Sequence, residues 1–468
     1  MHTVFAYSLD QTDPLAVFAP LHNHPYSLFF DSADKAHVNS RYSFIAYHPF
    51  ETIESKDGQI TITNKDNQLS FRGDALNTLK QRLQEYGLGA TPSRGDLPPF
   101  QGGAAGYFGY DLVRGMEKLP QTTTPSAGIP DMAIGLYNKV VAFDHEKNKS
   151  WLLVLAENEK QGREYLHHFK ALQNERAAPP LYQGTALDWQ ASFTKESYEA
   201  RLGKIIDYIY AGDIFQANMT QDFTAALPAN FDAFAHYCHL RSVNPAPFSS
   251  FMNFGNLKIA SSSPERFLKL QNRQIETKPI KGTRKRLADP TLDNAAKLDL
   301  QTSLKDRAEN VMIVDLLRND LSKVCDDFSV EVPELCALES FASVHHLVST
   351  VTASLRADCD AVDLLTACFP GGSVTGAPKV RAMEIIEENE IMRRGPYCGA
   401  MGYIGFNGTM DTNITIRTLI YNKNSVRFNV GGGIVADSVP ATEYQETLDK
   451  AAALFASFAT QDKAKERA

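Results

Sequence analysis

No apolar run in this chain approaches the roughly 20 residues that a membrane-spanning helix needs, so an integral helical membrane protein is not expected. The chain opens MHTVFAYSLDQTDP, with neither a basic n-region nor an apolar h-region, which predicts no secretory leader and a cytoplasmic location. Basic charge is not in excess. The 47 Lys and Arg against 55 Asp and Glu leave a net −8, with no footprint for nucleic acid or an anionic membrane. Cysteine is sparse and unpatterned: Cys238, Cys325, Cys336, Cys359, Cys368 and Cys398 form no C-x-x-C pair and stand at no zinc spacing with histidine. They read as reduced thiols, mostly buried. There is no Gly-Lys-Ser/Thr phosphate loop, no G-x-G-x-x-G, no G-x-S-x-G elbow and no H-E-x-x-H. Nucleotide, serine-hydrolase and zincin chemistry are therefore disfavoured.

What is present is ordinary globular material: 468 residues, 43% hydrophobic and 22% charged, enough for a large core. Residues 1 to about 120 mix short strand-like runs such as QITI (59–62) with a helical stretch near 75–86. The Gly-rich GGAAGYFGYD (102–111) predicts close backbone packing or a turn. Polar text around Pro179-Pro180 places a soft boundary, dividing an N-terminal lobe (1–185) from a catalytic region (190–460). Thr194 is a plausible N-cap for a helix carrying Tyr198, Leu202, Ile205, Ile206 and Ile209 on one face, with Gly212 as its stop. Further helices are expected over 306–317, from Pro378 as first residue, and through Glu443 to Phe455. Strands are expected at 402–406, 413–419 and 426–430. The order lacks the βαβ regularity of a doubly wound sheet.

Several residues invite chemistry, each with a plainer alternative. Glu309 and Glu446, with Glu443 one turn earlier, lie on separate helices and can converge on a hard cation; most helical glutamates are simply solvated. Lys281 in KPIKGTRKR has a glycine after it and cations around it, a setting in which a desolvated lysine becomes a nucleophile or base, although taken alone the segment favours a solvated basic loop. PGGSVTGAPK (370–379) and VGGGIV (430–435) offer backbone N–H groups to a small anion, or are merely tight turns. His345-His346 and Arg417 complete the set. Alternation would point Ile414, Ile416 and Thr418 one way and Thr415 and Arg417 the other.

In their order and wording these segments are specific. SSSPERF, PIKGTRKR, KDRAENVMIVDLLRNDL, VHHLVS, PGGSVTGAPKVRAMEII, GYIGF, NITIRT, GGGIVADS and EYQET together resemble the chorismate-utilising enzymes, densely over about 190–458 and more loosely before that. The resemblance implies an α+β fold of four α/β/β/α layers, with two packed antiparallel sheets between outer helices. It also implies chorismate as substrate and Mg²⁺ as cofactor. Carried over position by position, Glu309 and Glu446 match the metal ligands. Arg417, Tyr397, Thr283, Lys450 and the Gly431, Gly432 and Gly433 backbone match groups that grip the substrate carboxylates. His346 matches a histidine beside the ring, and Glu265 in SPERF matches an acid for the departing hydroxyl.

Position 281 discriminates within the family. The anthranilate-forming branch typically reads PIAGT, whereas PIKGT resembles the branch that makes 4-amino-4-deoxychorismate, the precursor of 4-aminobenzoate and folate. That resemblance implies a covalent adduct on Lys281. The chain shows no Gly-x-Cys-x-Gly turn, so ammonia is expected from a separate glutamine amidotransferase subunit. The rivals are an anthranilate-forming component, a water-adding isochorismate or salicylate synthase, and a silent anion-binding regulator. LFFDSA (28–33) and NPAPFSSF (244–251) imperfectly resemble the tryptophan feedback segments of anthranilate synthases. Either these segments only pack the two lobes together, the reading slightly favoured, or Phe29, Phe30 and Phe248 line an apolar pocket with Ser32 as a polar contact. Asp31 and Ser249 depart from the regulatory wording, so tryptophan inhibition is expected to be weak or absent.

Overall fold

The strands Gly103–Phe108 and Met132–Tyr137 have no exposed position on either face, the mark of a sheet covered on both sides. A computed structural model describes residues 3–174, 178–340 and 344–459 and accounts for that pattern. Two twelve-stranded sheets pack face to face, each with one strand off its main order: Gly376–Ala377 beside Gln216–Ala226 in one and Glu331–Ser340 beside Val344–Ser354 in the other. One is ordered Thr3–Leu9, Lys149–Ala156, Lys139–Asp144, Tyr42–Ala46, Ser27–Asp31, Phe248–Phe254, Leu257–Ser263, Thr418–Asn422, Ser425–Ile434, Gln216–Ala226, Gln190–Ala191. The other runs from Ile280–Lys285 through Val344–Ser354, Gln274–Thr277, Arg266–Gln271, Met410–Ile414 and Ala400–Gly405 into the N-terminal strands Gly103–Phe108, Met132–Tyr137, Glu51–Lys56, Gln59–Asn64 and Gln68–Arg72. The ladders that build the site are antiparallel.

Between the sheets lies a core of Leu28, Phe44, Phe100, Tyr107, Tyr137, Met252 and Tyr403. Outer cores join each sheet to its own helices: Phe234, Tyr237, Leu240 and Leu454 on one side, Leu76, Leu79, Val314, Leu321 and Leu365 on the other. The result is the expected four-layer α+β sandwich. Residues 178–189, where the boundary was placed, contain no helix or strand, and strands from both sides of it share both sheets.

Helices form where local signals agree. Thr194 caps Lys195–Tyr210 by accepting from Ser197 N–H, and Gly212 at φ +84° follows its end. Ser303 caps Leu304–Ser322, which runs past both ends of the expected 306–317 and lays Ile313, Val314, Leu317 and Leu321 inward. In Pro440–Ala456 the buried positions Glu443, Thr447, Ala451 and Leu454 mark one face, leaving Glu446 and Lys450 beside it. Pro378 is the N-cap of Lys379–Asn389 rather than its first helical residue.

Two expectations fail for one reason. The strand expected over 413–419 is two strands in different sheets: Met410–Ile414 pairs with Ala400–Gly405 in one, Thr418–Asn422 with Leu257–Ser263 in the other. The chain changes sheets at Thr415–Arg417, where Arg417 takes φ +50°, so simple alternation of Thr415 and Arg417 does not apply. Conversely Gly431–Gly433, read as a turn after a strand, are the interior of Ser425–Ile434. Both outcomes depend on partner strands far away in sequence.

Candidate active site

Lys281 sits on Ile280–Lys285, which pairs with Val344–Ser354. The ladder puts Lys281 opposite Leu347 and Thr283 opposite His346, and the register slips between them at Gly282, φ +78°. This is a β-bulge with glycine in the left-handed region, and it re-aims the neighbouring side chains. The Lys281 side chain is 11% exposed, and its Nζ lies 3.7 Å from Glu309 Oε2. A methyl group on Gly433 would stand 3.2 Å from Lys281 Nζ and 2.6 Å from Gln216 Nε2. The bare backbone of Gly433 therefore makes room beside the lysine.

Around that point the three expected glutamates meet three lysines. Glu309 contacts Lys281; Glu443, buried, accepts from Ser438 Oγ at 2.7 Å and faces Lys305 at 3.4 Å; Glu446 pairs with Lys450 at 2.7 Å. A side chain on Gly432 would begin 3.5 Å from Glu443 Oε2, 3.6 Å from Lys450 Nζ and 3.8 Å from Glu446 Oε1. Burial pushes the Glu309 carboxyl up, opposed by Lys281 and Lys305 and reinforced by Asp306 and Glu443. For Glu446 the upward push of burial is outweighed by Lys450, with Lys305 and Lys281 beyond, and its carboxyl lies below the usual range. Among the described residues no three His, Cys, Asp or Glu side chains close a metal cage by themselves. Mg²⁺ does not need one: it takes one or two carboxylates and completes its shell with substrate and water. Hard oxygen donors of Glu309 and Glu446, with Glu443 adjacent, fit that ion.

Glu265 is 5% exposed and accepts from Ser373 Oγ at 2.8 Å, while Ser263 Oγ receives its backbone N–H at 3.4 Å. Burial pushes its carboxyl up to about 7, against the opposing pull of Ser373 and Lys281. A carboxyl in that range can donate a proton near neutral pH. The linkage has a definite sign. With its folded pKa above the unfolded value of about 4.5, Glu265 binds more protons folded than unfolded across that interval. Its contribution to stability is complete below about pH 4.5 and fades as pH rises to about 7, by roughly 3 kcal/mol. Glu265→Gln is expected to remove that loss and to be the more stable protein at pH 8. Chemical denaturation of both proteins at pH 5 and pH 8 checks this; equal pH slopes refute it.

The expected anion-binding residues occupy neighbouring places. Thr283 Oγ1 lies 2.8 Å from His346 Nδ1, and burial with the nearby Arg417 charge pushes the His346 imidazole down to about 3, so it is neutral. Arg417 is desolvated, which pulls its guanidinium down, and among the described residues it has no carboxylate partner. Lys450 donates to the Gly431 carbonyl at 2.8 Å. Asn218 N–H goes to Thr375 O and Thr220 N–H to Glu390, so their partners Gly433 and Gly431 form the non-bonded pairs of the ladder. Their N–H groups consequently point away from Gln216–Ala226, along the edge that Thr418–Asn422 leaves open beyond Leu419. Tyr397, buried, is placed less directly: its neighbour Cys398 donates its N–H to Thr415 O, two residues before Arg417.

One residue was not anticipated. Gln216 is fully buried beside Lys281, and among the described residues neither its Oε1 nor its Nε2 meets a hydrogen-bond partner. An unpaired buried amide costs free energy unless a ligand completes it. The only sequence signal was a glutamine in the otherwise strand-like FQANMT.

A separate cavity of about 320 Å³ lies between the sheets, lined by Phe30, Ser32, Phe248, Ser249, Arg266 and Tyr403 among others. Phe29 is not on it: one residue from Phe30, it faces the outer helices and stacks on Phe18 at 5.1 Å. Asp31 shares the outward direction, bound by Tyr237 and Arg241, so its charge is spent there. Ser32 Oγ already donates to Tyr42 O at 2.6 Å, and Asp411 is held by Arg266 at 3.0 and 3.2 Å. With those polar groups engaged, tryptophan is expected to inhibit weakly or not at all. Turnover measured against rising tryptophan, beside calorimetry, tests this, and strong inhibition at micromolar tryptophan refutes it.

Comparison with known proteins fits this geometry. A family described as "chorismate binding enzyme" matches residues 26–456. The aminodeoxychorismate synthase component 1 of Escherichia coli K12 is 41% identical over 433 residues, covering 92% of this chain and 93% of that protein. The anthranilate synthase component 1 of Pseudomonas aeruginosa is 37% identical, over 98% and 95%. Among solved structures, anthranilate synthase component I from Streptococcus pneumoniae TIGR4 superposes with a TM-score of 0.78 at 32% identity, covering 90% of this chain and 93% of that one. No helix among the described residues is long and apolar enough to cross a membrane, and the six cysteines are unpaired.

Proposed function

The chain belongs to the chorismate-binding enzyme family, and from that premise we propose that it aminates chorismate to 4-amino-4-deoxychorismate, on the route to 4-aminobenzoate and folate. The observation that carries the reading is Lys281, its amine set between Gly433, the unpaired Gln216 amide and Glu309, with the acid Glu265 close enough to feel its charge.

Chorismate brings two carboxylates to a protein of net charge −8, so binding must rest on local cations and N–H groups. Arg417, Lys450, Thr283 and the open-edge N–H groups of Gly431 and Gly433 supply them, with Tyr397 and the neutral His346 beside the ring. Glu309 and Glu446 would hold Mg²⁺, which when bound neutralises carboxylate charge and fixes the substrate's orientation. The Lys281 amine, after giving up a proton, forms a bond to C2. The ring electrons shift, the C4–O bond breaks, and Glu265 delivers its proton to the departing hydroxyl, which leaves as water. Ammonia then bonds to C4, the electrons shift back, the C2–N bond breaks and Lys281 departs as an amine, while the new C4 ammonium returns its surplus proton to the Glu265 carboxylate. The sum is chorismate plus ammonia giving the 4-amino product and water. The relatives' name, component 1, supports a second component, and we assign it the role of a glutamine amidotransferase that delivers the ammonia.

The test is incubation of the purified chain with chorismate, Mg²⁺ and ammonium, the product being identified by mass and fluorescence. An aminated chorismate that keeps its enolpyruvyl group is expected. Anthranilate and pyruvate would establish C2 amination instead, and isochorismate or salicylate would establish addition of water.

A further inference from the structure

Arg394 is 1% exposed and joins three segments that carry site residues or their immediate neighbours. Its Nε and Nη2 bond Glu390 at 3.0 and 2.7 Å, Nη1 donates to the Val374 carbonyl at 2.7 Å, and Nη2 also donates to the Asn218 carbonyl at 2.6 Å. Its guanidinium carbon sits 4.6 Å from the centre of the Tyr110 ring. Glu390 Oε1 in turn accepts from Thr220 N–H and Oγ1 at 3.0 and 2.8 Å. A buried ion pair is a poor source of net stability, because desolvation offsets most of its attraction. What this pair does supply is geometry. Val374 directly follows Ser373, whose hydroxyl holds Glu265, and Asn218 lies two residues along the strand from Gln216.

We propose that Glu390 and Arg394 are positioning residues for Glu265, fixing the 370–377 loop through the Val374 carbonyl so that the Ser373 hydroxyl orients the acid. The inference rests on the reading of Glu265 as the proton donor. No contact with substrate is involved. The groups facing Glu265 are Lys281 from Ile280–Lys285, the thiol of Cys398 from the turn before Ala400–Gly405, and Ser373 from the loop. Ser373 donates to the carboxylate and so favours the ionised form; loosening the loop weakens that bond, and protonation of Glu265 then persists to higher pH.

The experiment uses the full chain without substrate. Isotope-edited infrared spectroscopy follows the glutamate carboxyl band against pH, with Glu265→Gln identifying which band belongs to Glu265. The wild-type midpoint is expected near pH 7. Ser373→Ala is expected to raise it by about one unit, since one donor to the carboxylate is lost. Arg394→Lys keeps a charge beside Glu390 but cannot serve two carbonyls and a carboxylate as a planar fork does. It is expected to move the midpoint the same way and to lower kcat by roughly 10-fold or more with KM changed less than about threefold. The double change Glu390→Gln with Arg394→Met removes both charges together and repeats the test without an orphan ion. A folded Arg394 variant with the wild-type midpoint and kcat overturns the proposal. So does Ser373→Ala at the wild-type midpoint, whatever the Arg394 variants do. Because the titration needs no turnover, a wild type that fails to aminate chorismate would sink the functional reading alone.

Discussion

Lys281→Ala is expected to cut 4-amino-4-deoxychorismate formation by roughly 10²–10⁴-fold, the range that follows removal of a group acting directly in the transition state. It should also abolish a transient mass increase on the intact protein during turnover. The change removes the ammonium that lies 3.7 Å from Glu309, so the Glu309 carboxyl loses a compensating charge and rises further above its usual range. Folding should survive, because Lys281 is on a bulged strand near the edge of its sheet, with Lys305 still near Glu309. The control is thermal denaturation beside the rate measurement. An alanine variant that turns over at the wild-type rate would end the covalent mechanism. A slow variant that still shows the adduct would place the nucleophile elsewhere.

How much of the fold was legible depended on how local its causes are. The Lys195–Tyr210 helix could be read to within a residue, since its cap, apolar stripe and stop all lie inside the segment. The break at Thr415–Arg417 could not. NITIRT alternates like a single strand, and only the competition of Thr418–Asn422 for the Leu257–Ser263 edge turns the chain into the second sheet. Gly431–Gly433 looked like a turn for the related reason that three glycines hold a strand only if a partner is aligned beside them. Gln216–Ala226, from the other end of the catalytic region, provides it.

The site divides along the same line. Glu309, Glu446, Arg417, Lys281, Glu265 and His346 were singled out because their surrounding words resemble a family, not because periodicity marked them. Their physical readings in isolation were weak. What the structure adds is the relation between them: Glu265 raised by burial, His346 lowered by burial and by Arg417, Glu443, Glu446 and Lys450 gathered at Gly432, and Lys281 paired with Glu309 beside Gly433. Gln216 had no comparable signal, because its significance comes from a neighbour distant in sequence: the missing side chain of Gly433 leaves room in which its amide and the Lys281 amine both approach the same backbone.

Glu309→Gln and Glu446→Gln are each expected to weaken Mg²⁺ binding in the presence of chorismate by roughly 10–100-fold and to reduce turnover accordingly, with little effect on folding. An amide keeps the size and one acceptor oxygen but gives up the charge that a small, strongly hydrated dication demands in exchange for its water. The two substitutions should differ in what they do to the apo protein. Glu309 is largely buried with its carboxyl already raised, so its neutralisation relieves a desolvation cost while freeing Lys281 from its ion pair. Glu446 is about half-exposed and held low by Lys450, so its neutralisation releases that lysine from the 2.7 Å contact beside Gly432. Calorimetric Mg²⁺ titration with chorismate present, and the Mg²⁺ dependence of turnover, measure the loss. Superimposable Mg²⁺ curves for wild type and both variants would mean that other carboxylates, Glu443 first among them, hold the ion. A loss confined to Glu446→Gln would instead leave Glu309 as the partner of Lys281 alone.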